Sequence, residues 1–449
     1  APPSRAELGL PDLASGLRSL HDPQPPPAES ERVALVGALC RRDTAAHRRL
    51  AFQELLAFAC GLAEHRSRRE GHAAPRCGKR SAVDELARTM FPFELTRAQR
   101  RVIQEIAIDL GRAHPMARLV QGDVGCGKTA VAALALRLVL DSGHQAALMA
   151  PTELLAEQHA RTLERLFAAT PYRVSLLSSS QPAAERRGVL DGLADGRERL
   201  VVGTHALIQE RVSFRDLGLV VVDEQHRFGV VQRQSLVDKG REPHLLVMTA
   251  TPIPRSLALT LYGDLDLSVI DEQPPGRTPV TTVIRPASAA PKIFAFLRDE
   301  LAARGRAFLV YPTIEGAEDP ALPALEQRAA EVAAALPGVA LGVVHGRMAR
   351  ADQEGMTERF RRGEVQALLT TTVVEVGIDV PEASVVVIEG AERFGLSQLH
   401  QLRGRVGRGE RRSWCILVAG EGATPAARRR LEALAGSNDG FAIAEMDLE

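Results

Sequence analysis

Apolar and polar residues along this chain follow two different spacings, one typical of helices and one typical of buried strands. Leu50, Phe52, Leu55, Leu56 and Leu62 recur at helical intervals, which predicts a helix near the start of the chain. Farther along, short apolar runs alternate with longer helical stretches, a pattern typical of βαβ units. These runs are ARLVQG, AALMAP, RLVVGT, LGLVVVDE and HLLVMTA, followed by RAFLVYP, VALGVVHG, VQALLTTT, ASVVVIEG and SWCILVAG. We therefore predict an α/β protein in which parallel sheets carry helices on both faces.

A proline-rich stretch separates the two groups of predicted strands. The sequence DEQPPGRTPV, residues 271–280, contains three prolines and one glycine and is typical of a linker. The pattern therefore predicts two α/β lobes joined by a short hinge. The predicted organisation is a helical region at 1–84, a first lobe at 85–272, a second lobe at 277–420 and the start of a C-terminal helical region at 421–449.

The composition is that of a globular protein with several domains. A chain of 449 residues exceeds one ordinary core, and 45% apolar with 25% charged residues is typical of globular proteins. Lys+Arg and Asp+Glu number 56 each, so a polyanion would have to bind local patches. No apolar run is long enough for a membrane span, which predicts no membrane partner. The five scattered cysteines lack a CxxC spacing, which argues against zinc and disulfides and favours a reducing cytoplasm.

The first predicted lobe contains a phosphate-binding loop. The stretch GDVGCGKT follows a predicted strand and precedes a predicted helix, so its backbone N–H groups and the helix N-terminus would surround phosphate oxygens. Lys128 would reach the β- and γ-phosphates of ATP, and the Thr129 hydroxyl would bind Mg²⁺. A chance glycine-rich turn is the alternative, and the flanking elements disfavour it. The nucleotide-binding residues predicted here are Gly122, Asp123, Val124, Gly125, Cys126, Gly127, Lys128 and Thr129.

An apolar strand of the same lobe ends in two adjacent carboxylates. The stretch VVVDEQHRFGV places Asp223 and Glu224 directly after three valines. A solvated strand end is one interpretation, but Mg²⁺ on Thr129 needs an acidic partner, and Asp223 ends a suitable strand. Glu224 would then orient or deprotonate the attacking water. His226 is predicted either to couple this site to other parts of the protein or to be a surface histidine.

Two further positions are candidates for contacts with the nucleotide. Gln99 lies ahead of the phosphate loop, and its amide could read both edges of adenine, although a glutamine on a helix is more often solvated. In the second lobe, QLRGRVGRGERR contains a Q-x-x-G-R-x-x-R pattern formed by Gln401, Gly404, Arg405 and Arg408. Arg405 and Arg408 would neutralise charge that develops on the γ-phosphate, or else belong to a solvated basic turn.

With these motifs the chain resembles the superfamily-two helicases and translocases, and within them the RecG family of branched-DNA helicases. The resemblance covers nearly the whole length, and DEQHRFGV together with TATPIPRSLALTLYGDLD is its most specific part. It implies two RecA-like lobes, each a parallel sheet flanked by helices, after a helical linker. It also implies that a wedge domain and the end of the translocation motif are missing. The other stretches that carry it are GDVGCGKT, APTELLAEQH, VVGTHALIQ, VYPTIE, VVHGRM, TTTVVEVGIDVPEAS and GLSQLHQLRGRVGRG.

The same resemblance implies roles for residues that the local pattern leaves open. Thr249 to Thr251 and Arg255 would couple hydrolysis to lobe movement. The stretches APTELL and GTHALI, with Thr152 and Thr204, would contact the DNA backbone from the first lobe, and Thr370, Thr371 and Thr372 from the second. Small hydroxyls and backbone amides contact phosphates without reading bases. The stretch GDVGCGKT departs from the family by carrying Cys126 in place of the more usual serine.

The implied function is an ATP-dependent DNA helicase or translocase that acts on branched DNA in recombination and repair. Its cofactors would be ATP and Mg²⁺, and its partners duplex and branched DNA, with a monomeric state and a contact to a single-strand-binding protein also expected. The alternatives are a duplex translocase of the transcription-repair coupling or restriction type and a DNA clamp without catalysis. A clamp would need none of Lys128, Asp223, Glu224, Arg405 and Arg408.

Overall fold

Two compact units, Ala1–Gly71 and His72–Glu449, make up the fold. The computed structural model of the chain describes residues 7–78, 82–224, 230–250, 257, 263–275, 278–312, 321–371, 380, 382–407, 409, 411–420 and 422–447, with the backbone alone at 230–233, 321–324 and 350.

Helices build the first unit: α1 (Leu13–His21), α2 (Glu29–Cys40) and α3 (Ala45–Glu70). The Asp12 carboxylate accepts from the Ser15 N–H at the start of α1, and Thr44 caps α3 in the same way. The helix predicted from the spacing of Leu50 to Leu62 is confirmed as part of α3. Its apolar side chains are not buried, however, and Leu55 and Leu56 are 57% and 50% exposed.

The first unit is shorter than the helical region predicted at 1–84. Cys77, and Val83 at the start of α4 (Val83–Met90), lie in the hydrophobic core of the α/β lobe that follows. Their burial joins the segment after Gly71 to that lobe, because buried contacts rather than helical character decide which unit a segment belongs to.

The first lobe is built on a parallel sheet of seven strands. Neighbouring strands follow the order β3-β4-β2-β5-β6-β1-β7. Strands β1 and β5, with burial at nearly every position, are covered on both faces, as expected for parallel sheets. The strands are β1 (Ala117–Gly122), β2 (Gln145–Met149), β3 (Val174–Leu177), β4 (Leu200–Gly203), β5 (Leu217–Val222), β6 (His244–Thr249) and β7 (Asp266–Ile270).

A second parallel sheet of six strands forms the other lobe, so the predicted two-lobe α/β architecture is confirmed. Its strands are arranged in the order β10-β11-β9-β12-β13-β8. The strands are β8 (Thr281–Pro286), β9 (Arg306–Val310), β10 (Leu341–Val344), β11 (Ala367–Thr370), β12 (Ala383–Glu389) and β13 (Trp414–Ala419).

Helices cover both sheets. Helix α6, which begins at the phosphate loop, is buried on almost every side within the first lobe. The helices of the first lobe after α4 are α5 (Arg97–Leu110), α6 (Lys128–Asp141), α7 (Glu153–Phe167), α8 (Ala183–Asp195) and α9 (Val230–Val237). Those of the second lobe and the C-terminal region are α10 (Ala290–Ala302), α11 (Ala321–Ala335), α12 (Arg350–Arg362), α13 (Leu396–Arg403), α14 (Pro425–Gly436) and α15 (Gly440–Met446).

A nearly buried ion pair holds α5 against β1, the strand that leads into the phosphate loop. The Arg118 guanidinium donates from Nε and Nη2 to Asp109 Oδ2, at 2.8 and 2.6 Å. Their side chains are 11% and 4% exposed. Arg118 also donates to Glu105 and Ser268. The pair therefore fixes the helix that carries Gln99 relative to the loop.

Replacing Asp109 with alanine should lower the free energy of unfolding of the first lobe by about 3 kcal/mol, because it leaves a buried guanidinium without its main partner. Urea denaturation measures the change. Arg112→Ala is the matched control, since Arg112 binds the same carboxylate from a side chain that is 50% exposed and should cost less than about 1 kcal/mol. Equal losses of unfolding free energy in Asp109→Ala and Arg112→Ala would contradict the assignment of the buried ion pair.

None of the helices in the part of the chain that the structure describes combines the length and apolar character that a membrane crossing requires.

Candidate nucleotide site between the two lobes

The predicted phosphate loop lies at the carboxyl end of β1, and its lysine folds over the loop. Lys128 Nζ donates to the carbonyl oxygens of Gly122 at 2.8 Å and Asp123 at 3.0 Å. Gly127 precedes α6 with φ of 88°, in the left-handed region that favours glycine. The backbone amides at the start of α6 can therefore face an anion.

The loop also requires a residue without a side chain where β1 ends. A Cβ atom added at Gly122 would lie 2.5 Å from Cys126 Sγ and 3.1 Å from the Ile270 carbonyl oxygen of β7. The Cys126 thiol is buried, being 1% exposed. Cys126 thus packs inside the loop.

Gln99 lies next to the loop and uses its amide to hold it. Its Oε1 accepts from the Thr96 N–H at 2.9 Å, and its Nε2 donates to the Cys126 carbonyl at 2.7 Å. The side chain is 2% exposed, and the first contact completes the capping box of α5. Gln99 therefore connects the start of α5 to the phosphate loop, which is a positioning role that sequence reasoning did not predict.

Asp223 follows β5 directly and is buried at the same edge of the sheet. Its Oδ2 accepts from His159 Nε2 at 2.7 Å, and its Oδ1 accepts from the Glu224 N–H at 3.0 Å. Burial acts to raise the pKa of Asp223, but the hydrogen bond and charge of His159, the Lys128 ammonium and the Glu224 N–H together hold it below its usual value. Asp223 is therefore an ionised carboxylate close to the lysine of the loop.

His159 was not predicted from the sequence. It lies in α7, 64 residues before Asp223, and no local spacing connects the two. The connection follows from the sheet order, because α7 follows β2, and β2 pairs with β5 in parallel. The one available signal was the position of His159 at the end of APTELLAEQH, a stretch that carries the family resemblance and whose first part, APTELL, was predicted to contact DNA.

Glu224 has a strained backbone. Its φ is 52°, whereas residues with a β-carbon seldom adopt the left-handed region. Such conformations cost about 1–3 kcal/mol and occur most often at functional sites. The turn ends β5 after Asp223 and gives the two adjacent carboxylates different surroundings.

The donors at this edge suit Mg²⁺ in composition. Asp223 supplies carboxylate oxygens and Thr129, at the start of α6, supplies a hydroxyl. Within the described ranges no group of three or more His, Cys, Asp or Glu residues is arranged to hold a metal ion. A nucleotide-bound Mg²⁺ needs only one or two protein oxygens, because phosphates and waters supply the other ligands.

The second lobe contacts the phosphate loop through the end of α13. His400 Nε2 lies 2.6 Å from Asp123 Oδ1. A Cβ atom added at Gly404 would lie 2.8 Å from Val124 Cβ, so this close approach requires glycine. Arg405 follows directly and is 8% exposed. Gly404 of the predicted Q-x-x-G-R pattern thus lies at the loop, together with His400, for which the sequence predicted no role.

The threonines predicted to contact DNA or to couple the lobes have different surroundings. Thr152 caps α7 by accepting from the Leu155 N–H at 3.3 Å, and Thr204 is 7% exposed before a short 3₁₀ helix. Thr249 is buried at the end of β6, the strand between β5 and β1. Thr370 is fully buried and donates to the Thr371 carbonyl, so Thr371 is the more accessible of the two.

Five of the predicted residues lie outside the described ranges: His226, Thr251, Arg255, Thr372 and Arg408. Gln401 is described and lies in α13, directly after His400, where it is half-buried.

Comparisons with known proteins agree with this fold. A family model described as DEAD/DEAH box helicase matches residues 96–260, and one described as helicase conserved C-terminal domain matches residues 292–410. A solved structure of Saccharomyces cerevisiae Dbp5 bound to RNA and ADP BeF3 shares the fold, with a TM-score of 0.60, 15% identity and coverage of 82% of this chain and 97% of that one. Fold and site together define the chain as a superfamily-two helicase core.

More similar proteins narrow the class. The ATP-dependent DNA helicase RecG of Escherichia coli K12 is 46% identical over 453 residues, and that of Acidithiobacillus ferridurans is 48% identical over 445 residues. These alignments cover 100% and 98% of this chain but 64% and 62% of the relatives. A structure of RecG bound to a three-way DNA junction matches with a TM-score of 0.79 and 42% identity, over 90% of this chain and 53% of that one. The chain belongs to the RecG family, and it spans between about half and two thirds of the length of these relatives.

Proposed function

We propose that this chain is the ATP-hydrolysing motor of a DNA translocase that acts on branched DNA in recombination and repair. The observation that carries the proposal is the convergence of three groups at one edge of the first lobe. Lys128 lies over the phosphate loop, Asp223 is an ionised carboxylate within its electrostatic reach, and Arg405 of the second lobe directly follows Gly404, which packs on the loop. A nucleotide bound between two lobes can change their relative position, which is the basis of translocation.

The chemistry assigned to the site divides among a few side chains. Lys128 exchanges the loop carbonyls of Gly122 and Asp123 for the β- and γ-phosphates of ATP. Glu224 orients the attacking water and accepts its proton. Arg405, with Arg408, neutralises the charge that develops on the γ-phosphate. Asp223 and Thr129 would hold Mg²⁺, which supplies charge neutralisation for the phosphates.

The DNA-contacting surface is proposed on the threonines at the ends of the strands. Thr152, Thr204 and Thr371 would donate hydroxyl or backbone N–H groups to DNA phosphates, which does not depend on base sequence. Thr370 is better suited to support Thr371 than to bind DNA, because it is fully buried. We propose that Thr249, Thr251, Arg255 and His226 couple hydrolysis to movement, and that Gln401 binds the nucleotide.

The relatives above are RecG helicases, so the transcription-repair coupling alternative is not carried forward.

Steady-state ATP hydrolysis tests the proposal. The chain is assayed alone, with linear duplex DNA and with a forked duplex of matched length, and Lys128→Ala provides the blank. We expect hydrolysis above the blank, with stimulation by DNA and more by the fork. Hydrolysis at the level of the blank under all three conditions would overturn the proposal.

His159→Ala should raise the Mg²⁺ concentration for half-maximal hydrolysis about tenfold, since partners that orient a metal-binding carboxylate commonly contribute 10- to 100-fold to metal affinity or activity. A magnesium titration of the ATPase rate measures this. His144→Ala is the matched control. Its ring pairs with Asp216 at 2.7 Å at the opposite end of the same strands β2 and β5. An equal change in both variants would indicate loss of stability rather than of carboxylate orientation.

Two finer expectations belong to the same proposal. The motor would act as a monomer in the cytoplasm and would contact a single-strand-binding protein. Sedimentation of the chain with and without forked DNA tests the first, and a rise in sedimentation on adding a single-strand-binding protein tests the second. A dimer in both samples would contradict the monomeric state. An unchanged sedimentation after the single-strand-binding protein is added would contradict that contact.

A further inference from the structure

His400 connects the two lobes through one hydrogen bond at each ring nitrogen. Its Nε2 lies 2.6 Å from Asp123 Oδ1 of the phosphate loop, and its Nδ1 lies 2.8 Å from Arg403 Nη2. His400 and Arg403 are 4% and 3% exposed. The residues 123 and 400 are 277 positions apart in the chain. The bond between His400 and Asp123 is therefore largely buried, unlike an exposed surface ion pair.

The partners define which ring nitrogen carries the proton. A guanidinium can only donate, so Nδ1 of His400 accepts from Arg403 and carries no proton. Nε2 then carries the proton and donates it to the Asp123 carboxylate. Arg403 is held in turn by the carbonyl oxygens of Leu434 at 2.8 Å and Ser437 at 2.7 Å. The geometry thus requires a neutral His400 with a fixed ring orientation.

Asp123 offers an ionised carboxylate to this contact. Burial acts to raise the pKa of Asp123, but the hydrogen bond from His400, the Val124 N–H and the Lys128 ammonium together lower it. Oδ1 accepts from the Val124 N–H at 2.6 Å as well, and Oδ2 lies 3.4 Å from Gln273 Nε2 in the linker. Asp123 therefore joins the loop, the linker and the second lobe.

The contact controls the position of the residues that follow it. Helix α13 ends at Arg403, and Gly404 packs on Val124 of the loop. Arg405 is the next residue, so its backbone cannot shift relative to the loop without breaking the His400 contact or opening the Gly404 packing. The hydrogen bond of His400 to the loop therefore restricts the position of Arg405 relative to the phosphate loop.

We infer that Asp123 and His400 form a clasp between the lobes and that His400 is a positioning residue, which sets the distance of Arg405 from the phosphate loop. The kinetic part of this inference rests on the proposed function. An interaction that positions a group used in the transition state should affect kcat more than the affinity for ATP.

Two substitutions at position 400 separate its two bonds. In His400→Gln the amide nitrogen can replace Nε2 and donate to Asp123, while the acceptor for Arg403 is lost. In His400→Asn the amide oxygen can replace Nδ1 and accept from Arg403, but the shorter side chain does not reach Asp123. His400→Asn should lower kcat about 10- to 100-fold with little change in KM, as expected for a hydrogen bond to a charged group. His400→Gln should retain most of kcat.

The test combines these variants with a measurement that needs no hydrolysis. Steady-state kinetics give kcat and KM, and thermal denaturation reports folding. His114→Asn is the matched control, a histidine of the first lobe with no hydrogen bond at Nδ1. Spectra of ¹⁵N-histidine-labelled protein, assigned by comparison with His400→Gln, report whether Nε2 of His400 carries a proton that exchanges slowly.

The outcomes are distinct. The clasp is supported if the Nε2 proton exchanges slowly and its resonance shifts in Asp123→Asn. The predicted loss of kcat should then occur in His400→Asn alone. Equal kcat in His400→Asn and wild type, or equal losses in His400→Asn and His400→Gln, overturns the positioning role. A proton on Nδ1, or rapid exchange at Nε2, overturns the clasp itself. Absence of hydrolysis in wild type would overturn the proposed function, and the spectra then decide the clasp independently.

Discussion

Replacing Lys128 with alanine should lower the ATP turnover number at least about 10²- to 10³-fold, the loss typical of removing one group that stabilises transition-state charge. Lys128 is the cation that folds over the phosphate loop, where it binds two loop carbonyls and helps to lower the pKa of Asp223. Without its ammonium, the charge that develops on the phosphates lacks its nearest neutralising group in the first lobe. A steady-state assay with saturating ATP and DNA measures the change.

DNA binding should survive this substitution, because the proposed DNA contacts lie on other loops. Lys292→Ala is the matched control, since Lys292 lies exposed in α10 of the second lobe and should retain wild-type turnover. Hydrolysis by Lys128→Ala at the wild-type rate would show that the phosphate loop is wrongly assigned. Loss of DNA binding together with a lowered melting temperature would show that the variant had unfolded.

Glu224→Gln should still bind ATP but hydrolyse it about 10²- to 10⁴-fold more slowly, as expected when a general base is removed. The amide keeps the shape of the side chain and cannot accept the proton of the attacking water. The strained φ of 52° is unchanged by this substitution, so the local turn should persist. Single-turnover hydrolysis and binding of a fluorescent ATP analogue measure the two quantities separately.

Glu185→Gln provides the control for the removal of one negative charge, because Glu185 is exposed in the first turn of α8. Its turnover should equal that of wild type. An undiminished rate in Glu224→Gln would mean that another group accepts the proton. Weakened ATP binding with unchanged turnover would instead assign Glu224 to the ground-state contact with the nucleotide.

The sequence by itself predicted the parts of the site that contiguous residues build. A phosphate loop is made by the backbone of one short segment, so the flanking strand and helix were sufficient to predict it at Gly122–Thr129. The hydrophobic pattern also predicted two α/β lobes, because strands buried on both faces consist of continuous apolar runs. Asp223 and Glu224 were predicted from their place directly after β5.

Only the tertiary structure decided which side chains support these groups. His159 reaches Asp223 because β2 and β5 are neighbours in the sheet, and His400 reaches Asp123 because the lobes meet at the loop. In the second sheet, Thr370 ends β11, which lies between β10 and β9, and it is fully buried, whereas the family resemblance had implied a DNA contact for it. Periodicity reports which face of an element is apolar, but it contains no information on which elements become neighbours. Contacts across 64 and 277 residues therefore follow from sheet order and lobe packing, which the local pattern does not encode.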